Sequence, residues 1–473
     1  MNRNNNSDSR TTGRVVTTLA FLATFVFFQF AYPYHLIRRE QMNLFLFDWD
    51  YIRQTYSGIG WLARFVTDFL EQFFHLPLAG PLTVSFLLTA IGVCTFRIGR
   101  CLVSEKLSSV VAMLVFFWSF MRETGNLYMT QYTVAVLLYL LIVLFILHFR
   151  NAMLLYMSLL PAILLGVWAI GSPVDSKYGK LWSLPSLEYE RIIGLDAEVA
   201  RENWDKVLEL SEKDLYMVEA SYCYNLAQAM KGNLGNRLFN HSQNADATLL
   251  LRIAPGQTVF TNCLAGEAWY QSGEMTVAEQ SAIISLQASP KHTGTRYLVR
   301  LAKVNLITGQ YAAANKYLNI LSGTLFYRKW AISQMPENRE TDIESGSPEN
   351  RPELVKKDYV HHSYEMRTVL LGILEADPSN EIARNYLLCH DLLRYDLETF
   401  MEDYSHDMID AHIYHEAVLI WLSQHDRLTE QNAAEFGISL KDIDRMNHFF
   451  PNSARYRDTY WNYYMNALME EEP

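Results

Sequence analysis

Reactive chemistry is what this sequence has least of. Only five cysteines, an odd number, occur in 473 residues. None forms a C-x-x-C pair, so neither a disulfide framework nor a thiolate metal site is indicated. Cys94, Cys101, Cys223, Cys263 and Cys389 are expected to be small packing residues. There is no Walker loop, no glycine pattern for a dinucleotide and no G-x-S-x-G turn, and neither a cofactor nor a metal is expected. Charge is scarce as well, at 19% of residues, and it is unevenly placed. Up to Val174 there are twelve Lys plus Arg and eight Asp plus Glu. The remainder holds twenty-eight and forty-three, a balance of +4 against −15. The acidic second part repels phosphate backbones, so nucleic acid is not an expected partner.

What fills the first third instead is apolar. Uncharged runs occur at 15–34, 76–96, 107–121, 124–149 and 151–174, and they read as five transmembrane helices forming a membrane domain over 15–174. The third run is short for a hydrocarbon core unless Lys106 and Arg122 snorkel to the two interfaces. As a re-entrant helix it would make the number of crossings even and return the second part to the cytoplasmic side. Arg3, Arg10, Arg14, Arg97, Arg100, Lys106 and Arg150 fall on one side, and Arg38, Arg39, Arg53, Arg64 and Arg122 on the other. That bias favours a cytoplasmic N-terminus and a C-terminal domain outside the cytoplasm, the periplasm in a bacterial cell with the chain in its inner membrane. The first run lacks a small-x-small cleavage site and is expected to stay as an anchor. The spans carry essentially no charge beyond His148, which argues against a pump.

Residues 1–14 are polar and read as a disordered cytoplasmic tail. Around 59–73, Trp61, Leu62, Phe65, Val66, Phe69 and Phe73 share one helical face and Arg64, Asp68 and Glu71 the other. The pattern predicts an amphipathic helix in the membrane interface or against the bundle. A Gly, Ser and Pro linker at 171–180 leads into helical pairs over 175–333. Residues 334–362 read as a mobile acidic insertion, and 363–473 as further helical pairs with an aromatic cap at Tyr460, Trp461, Tyr463 and Tyr464.

The clearest pair is 261–290. Ala265, Gly266 and Ala278 let two antiparallel helices approach, and Trp269 and Tyr270 fill the space beside them. Gly273 stands at the turn, Thr276 with Glu279 makes a capping box, and Pro290 follows the second helix. Turn points at Glu202, Gly232, Gly273 and Gly309 are spaced by thirty, forty-one and thirty-six residues, around the roughly thirty-four of a tetratricopeptide array. Ala265, Gly266, Trp269, Gly273, Ala278 and Pro290 resemble the tetratricopeptide repeat at its small, aromatic, turn and stop positions, while Ala282 replaces its usual aromatic. The fold class expected is therefore all-α, an N-terminal transmembrane bundle followed by a tetratricopeptide-like α-solenoid. Across its length the chain also resembles an uncharacterised bacterial membrane-protein family, through NLAQA at 225–229, HEA at 415–417 and TYWNYY at 459–464.

The repeat resemblance implies a scaffold that docks a protein or peptide partner in its groove, with no chemistry of its own. The alternative rests on FDWD at 47–50. Asp48 and Asp50 sit in the first external loop, where polytopic glycosyltransferases using lipid-linked sugar donors carry an acidic loop motif that acts as base or metal site. This chain has about half as many membrane helices as those enzymes and lacks their later basic donor-binding residues. His406, Asp410, His412, His415 and Glu416 form the remaining cluster, but HIYHE matches no zinc-protease spacing. His361 and His362 border the insertion.

Overall fold

The computed structural model describes residues 2–58, 60–125, 130–148, 185–254, 256–289, 291–335, 365–407, 409–449 and 455–471. Among these every regular element is helical, with no strand. The chain divides into two compact units: Met1–Glu190 with Thr293–Arg296 and Leu318–Gln334, and Arg191–His292 with Tyr297–Tyr317 and Met335–Pro473. Two pieces of the region expected to be purely repeats thus belong with the N-terminal unit. There, Thr295 N–H donates to Asn43 O at 3.1 Å and Phe47 N–H to Gly323 O at 3.2 Å.

The first unit contains α1 (Asn2–Val26), α2 (Pro33–Gln41), α3 (Trp49–Thr55), α4 (Trp61–Glu71), α5 (Ala79–Leu102), α6 (Glu105–Glu123) and α7 (Thr130–His148). α1 already begins at Asn2, so the polar stretch expected as a disordered tail is helical. Extending an existing helix costs far less than nucleating one. α1 widens into a π-turn over Phe27–Ala31 and breaks at Tyr32. Pro33 follows, and a residue before proline is pushed out of the helical region. Phe28, Tyr32, Leu36, Phe74, Val84 and Leu88 close one core cluster, and Ala63, Leu87, Ile91, Cys94, Val134, Ala135 and Leu137 another.

Among the described residues three helices are long and apolar enough to cross a membrane: Gly13–Ala31, Ala79–Leu102 and Thr130–His148. The unit exposes many large apolar side chains, including Leu19, Phe86, Leu114 and Ile142, a surface suited to lipid and not to water. α6, the short third run, is not among the three; Glu105, Lys106, Arg122 and Glu123 stand at its ends. The expected fifth span and the linker after it lie outside the described residues, as do nearly all of 334–362, His361 and His362.

α4 departs from its expected orientation. Its buried positions are Ala63, Thr67, Asp68 and Glu71, whereas Trp61 and Leu62 are 49% and 44% exposed. The helix does pack on the bundle, through Ala63 and Val66, but its acidic edge turns inward. Periodicity reports which residues share a face, and here buried polar partners, not apolar area alone, decided which face went in.

The remaining helices are α8 (Leu187–Ala200), α9 (Trp204–Ser211), α10 (Val218–Met230), α11 (Leu234–Arg237), α12 (Val259–Ser272), α13 (Met275–Ala288), α14 (Thr295–Ile307), α15 (Tyr311–Ser322), α16 (Arg328–Gln334), α17 (Met366–Ala376), α18 (Glu381–Leu393), α19 (Leu397–Asp403), α20 (His412–Gln424), α21 (Glu430–Ala434), α22 (Leu440–Phe449) and α23 (Tyr460–Glu471). One turn recurs through the second unit. Asn203, Asn233, Glu274, Gln310, Asp396 and Arg427 each donate a backbone N–H to the carbonyl five residues earlier, over 2.8–3.1 Å. The residue before each has positive φ: Glu202, Gly232, Gly273, Gly309, Tyr395 and Asp426. This is the Schellman closure, which satisfies a helix's last carbonyls and reverses the chain. Tyr395 and Asp426 escape a search for turn glycines because neither is one.

Within the α12–α13 pair the small residues do what their size suggested. A Cβ at Gly266 would lie 2.3 Å from Ser281 Oγ, so only glycine permits this approach. Trp269 is fully buried. The cap differs from the expected box: Glu274 accepts from Thr276 N–H at 3.0 Å, while Glu279 accepts from Asn305 Nδ2 at 2.8 Å. Pro290 lies outside the described residues.

Candidate functional site

A collection of buried ionisable groups lies in the first unit, where the end of α1, the start of α5, the end of α6 and the start of α7 converge. Arg39 on α2 pairs with Glu123 at the end of α6. It also donates to Thr130 Oγ1 and to the Glu123 carbonyl, each at 2.8 Å. Thr133 Oγ1 donates to the other Glu123 oxygen at 2.6 Å. The Glu123 side chain has no exposure at all, so only this set of donors makes its burial tolerable.

Glu190 caps α2 from a distance, accepting from the N–H groups of Tyr34 and His35. Burial pushes its pKa up to about 8, against the two N–H donors and Arg39. His35 is held well below the usual imidazole range by burial and then by Arg39 and Arg38, so it stays neutral. Tyr56 donates to Asp68 Oδ2 at 3.0 Å, and burial followed by the Asp68 charge keeps it protonated.

Beside this network lies a small cleft lined by Glu40, Asn43, Phe45, Gln72, Thr295, Thr324, Phe326 and Tyr327. It encloses about 240 Å³ counted to its open mouth, most of which is open to solvent or too narrow for water. What remains is room for roughly one water. Glu40 is 5% exposed. It accepts one long hydrogen bond from Tyr327 at 3.3 Å, and His75 Nδ1 stands 3.8 Å away. His75 stacks on Phe326, with ring centres 5.2 Å apart.

The two carboxylates of the FDWD loop are not part of this arrangement. Asp48 is the N-cap of α3 and accepts from Tyr51 N–H at 2.8 Å. Asp50 is an exposed residue of the first turn, where its charge suits the helix dipole. The residues sequence reading missed, Glu40, Gln72 and His75, sit in IRREQ and EQFFH, two charged segments of an otherwise apolar region. That was the available signal.

In the second unit the histidine cluster disperses into separate pairs. His415 Nε2 lies 2.8 Å from Asp410 and His406 Nε2 lies 3.1 Å from Asp407, while the His412 backbone N–H donates to Asn236 Oδ1. Among the described residues no three His, Cys, Asp or Glu side chains gather as a metal site. Glu416 turns inward, accepting from Tyr460 N–H at 2.7 Å, with Arg445 3.2 Å from its other oxygen. Its backbone carbonyl accepts from the Trp461 indole at 3.0 Å, which ties in the aromatic cap.

Burial, only partly offset by the Tyr460 N–H and Arg445, pushes the Glu416 pKa up to about 8. A raised carboxyl pKa means the folded state holds a proton the unfolded state has released. This group therefore favours folding fully below about pH 4.5, and that contribution is lost as pH rises to about 8. Glu416→Gln should flatten the fall in thermal midpoint across this window. Parallel pH slopes for wild type and variant would show that the carboxyl is ionised in the fold.

α18 packs on α10, α11 and α12, and Asn380 Nδ2, at its N-cap, donates to Ser272 O at 2.9 Å. Tyr222 of α10 bridges to α12, donating to Leu264 O at 2.8 Å and accepting from Ala268 N–H at 3.0 Å. α10, α12, α18 and α20 are buried nearly all round.

These features define an all-helical protein that joins helices able to span a membrane to a unit of Schellman-closed helical hairpins. The chain belongs to a family of unknown function, DUF6057, whose model matches residues 9–175 and 145–467. No curated protein and no solved structure matches it.

Proposed function

We propose that this protein is a membrane-anchored helical scaffold, its hairpin unit lying outside the cytoplasm, in the periplasm of a bacterial cell, and holding a protein partner there. The observation that carries this reading is the recurrence of one hairpin closure along the second unit, the construction of tetratricopeptide-like arrays that present surface and do no chemistry. Charges in its interior are spent on internal pairs: Arg300 with Glu267, and Arg367 with Asp391 and Asp403. Because α18 packs on α10 and α12, the partner contacts the faces of the hairpins that α18 leaves uncovered.

The rival reading, a transferase using a lipid-linked sugar, needs Asp48 and Asp50 as working carboxylates. Asp48→Asn with Asp50→Asn in the full-length chain separates the two. Asn also caps helices well, so the scaffold should keep its abundance and its in-cell crosslinks to a partner. Loss of function at normal abundance and with crosslinks intact would favour the enzyme.

A further inference from the structure

The cleft beside Glu40 has a chemical character that the scaffold reading does not use. A buried carboxyl offers about four acceptor positions, and Glu40 receives a single long bond from Tyr327 with His75 at 3.8 Å. Gln72 lines the same cleft, is 8% exposed, and its Oε1 has no partner. The orientation of that amide is settled by its other end: Nε2 donates to the Phe69 carbonyl at 3.3 Å, and a flip would set two acceptors against each other. Phe45, Phe326 and Tyr327 supply aromatic rings to the lining. Two under-used buried acceptors beside aromatic faces, in a space for one water-sized group, make a site for a donor-only cation of that size.

We propose that this cleft binds the primary ammonium of an aminophospholipid headgroup. An ammonium has three donors and no acceptor, which matches Glu40, Gln72 Oε1 and an aromatic face. A trimethylated nitrogen has no N–H donor and exceeds the space. The lipid is favoured as source by what adjoins the cleft. Gln72 and His75 belong to the turn that leads directly into α5, one of the helices able to span a membrane. Leu78, Leu82 and Phe86, four residues apart on one face at the start of that helix, are 55%, 44% and 64% exposed. Acyl chains lying along this stripe would bring the headgroup to the cleft.

The test uses the full-length protein in phosphatidylcholine nanodiscs with added phosphatidylethanolamine, reading retained lipid by native mass spectrometry. Phosphatidylethanolamine should be retained over phosphatidylcholine, and Glu40→Gln should reduce that preference about tenfold by removing the charged partner. Gln72→Met, which leaves Glu40 in place, should reduce it less, and thermal midpoints near wild type will show that both variants are folded. Equal retention of the two lipids, or a preference unchanged in both folded variants, would overturn the proposal. Ethanolamine added to discs of phosphatidylcholine alone should bind far more weakly. Saturation at this site as tight as the lipid's would overturn the lipid as source.

Discussion

Arg39→Met should destabilise the first unit by about 3–5 kcal/mol, the usual cost of breaking a buried ion pair from one side. The reason is the residue left behind. Glu123 has no solvent exposure and takes its charge compensation from Arg39; Thr133 donates to one oxygen but brings no charge. Thr130 and the Glu123 carbonyl would also lose the guanidinium. Removing both charges together, Arg39→Met with Glu123→Met, should recover most of the loss, because two apolar side chains of similar volume leave no unpaired charge at this position. Denaturant midpoints of the full chain in detergent measure both. An Arg39→Met midpoint equal to wild type would mean that water reaches Glu123, and that the polar network is a solvated surface and not a buried one.

Trp269→Ala should cost the second unit a comparable amount, about 3–5 kcal/mol, through lost burial and the cavity that remains. Its ring has no exposure, and it lies between Gly266, which faces Ser281, and the Gly273 turn. The indole N–H has no hydrogen-bond partner, so the polar part of the side chain adds nothing. Trp269→Phe should therefore be much milder than Trp269→Ala. Gly273→Val acts through a different route: φ at 99° strains any β-branched residue and misdirects α13. Thermal melts separate these cases. An unchanged midpoint for Trp269→Ala with partner crosslinks abolished would make Trp269 a binding residue and not a core one.

How legible the fold was depended on the kind of signal. The α12–α13 hairpin could be read because Gly266, Trp269 and Gly273 act within thirty residues of each other, where size and φ preference are enough. The same turns at Tyr395 and Asp426 were invisible, since a tyrosine or an aspartate marks no turn by itself and takes positive φ here only where the surrounding helices impose it. The acidic edge of α4 was legible as an edge but not as an interior one. Its partners lie outside the helix, as Tyr56 does for the Asp68 carboxylate, and no periodicity within α4 contains them.

By itself the sequence determined the helical class, the apolar first third and the hairpin period, because each follows from local composition and spacing. Only the tertiary structure decided that Glu40 and Gln72 share a cleft with Thr295 and Phe326, and that α18 packs on α10 and α12. Those outcomes depend on segments more than a hundred residues apart meeting in space, and the energy of a buried charge is set by the groups that surround it, not by its neighbours in sequence.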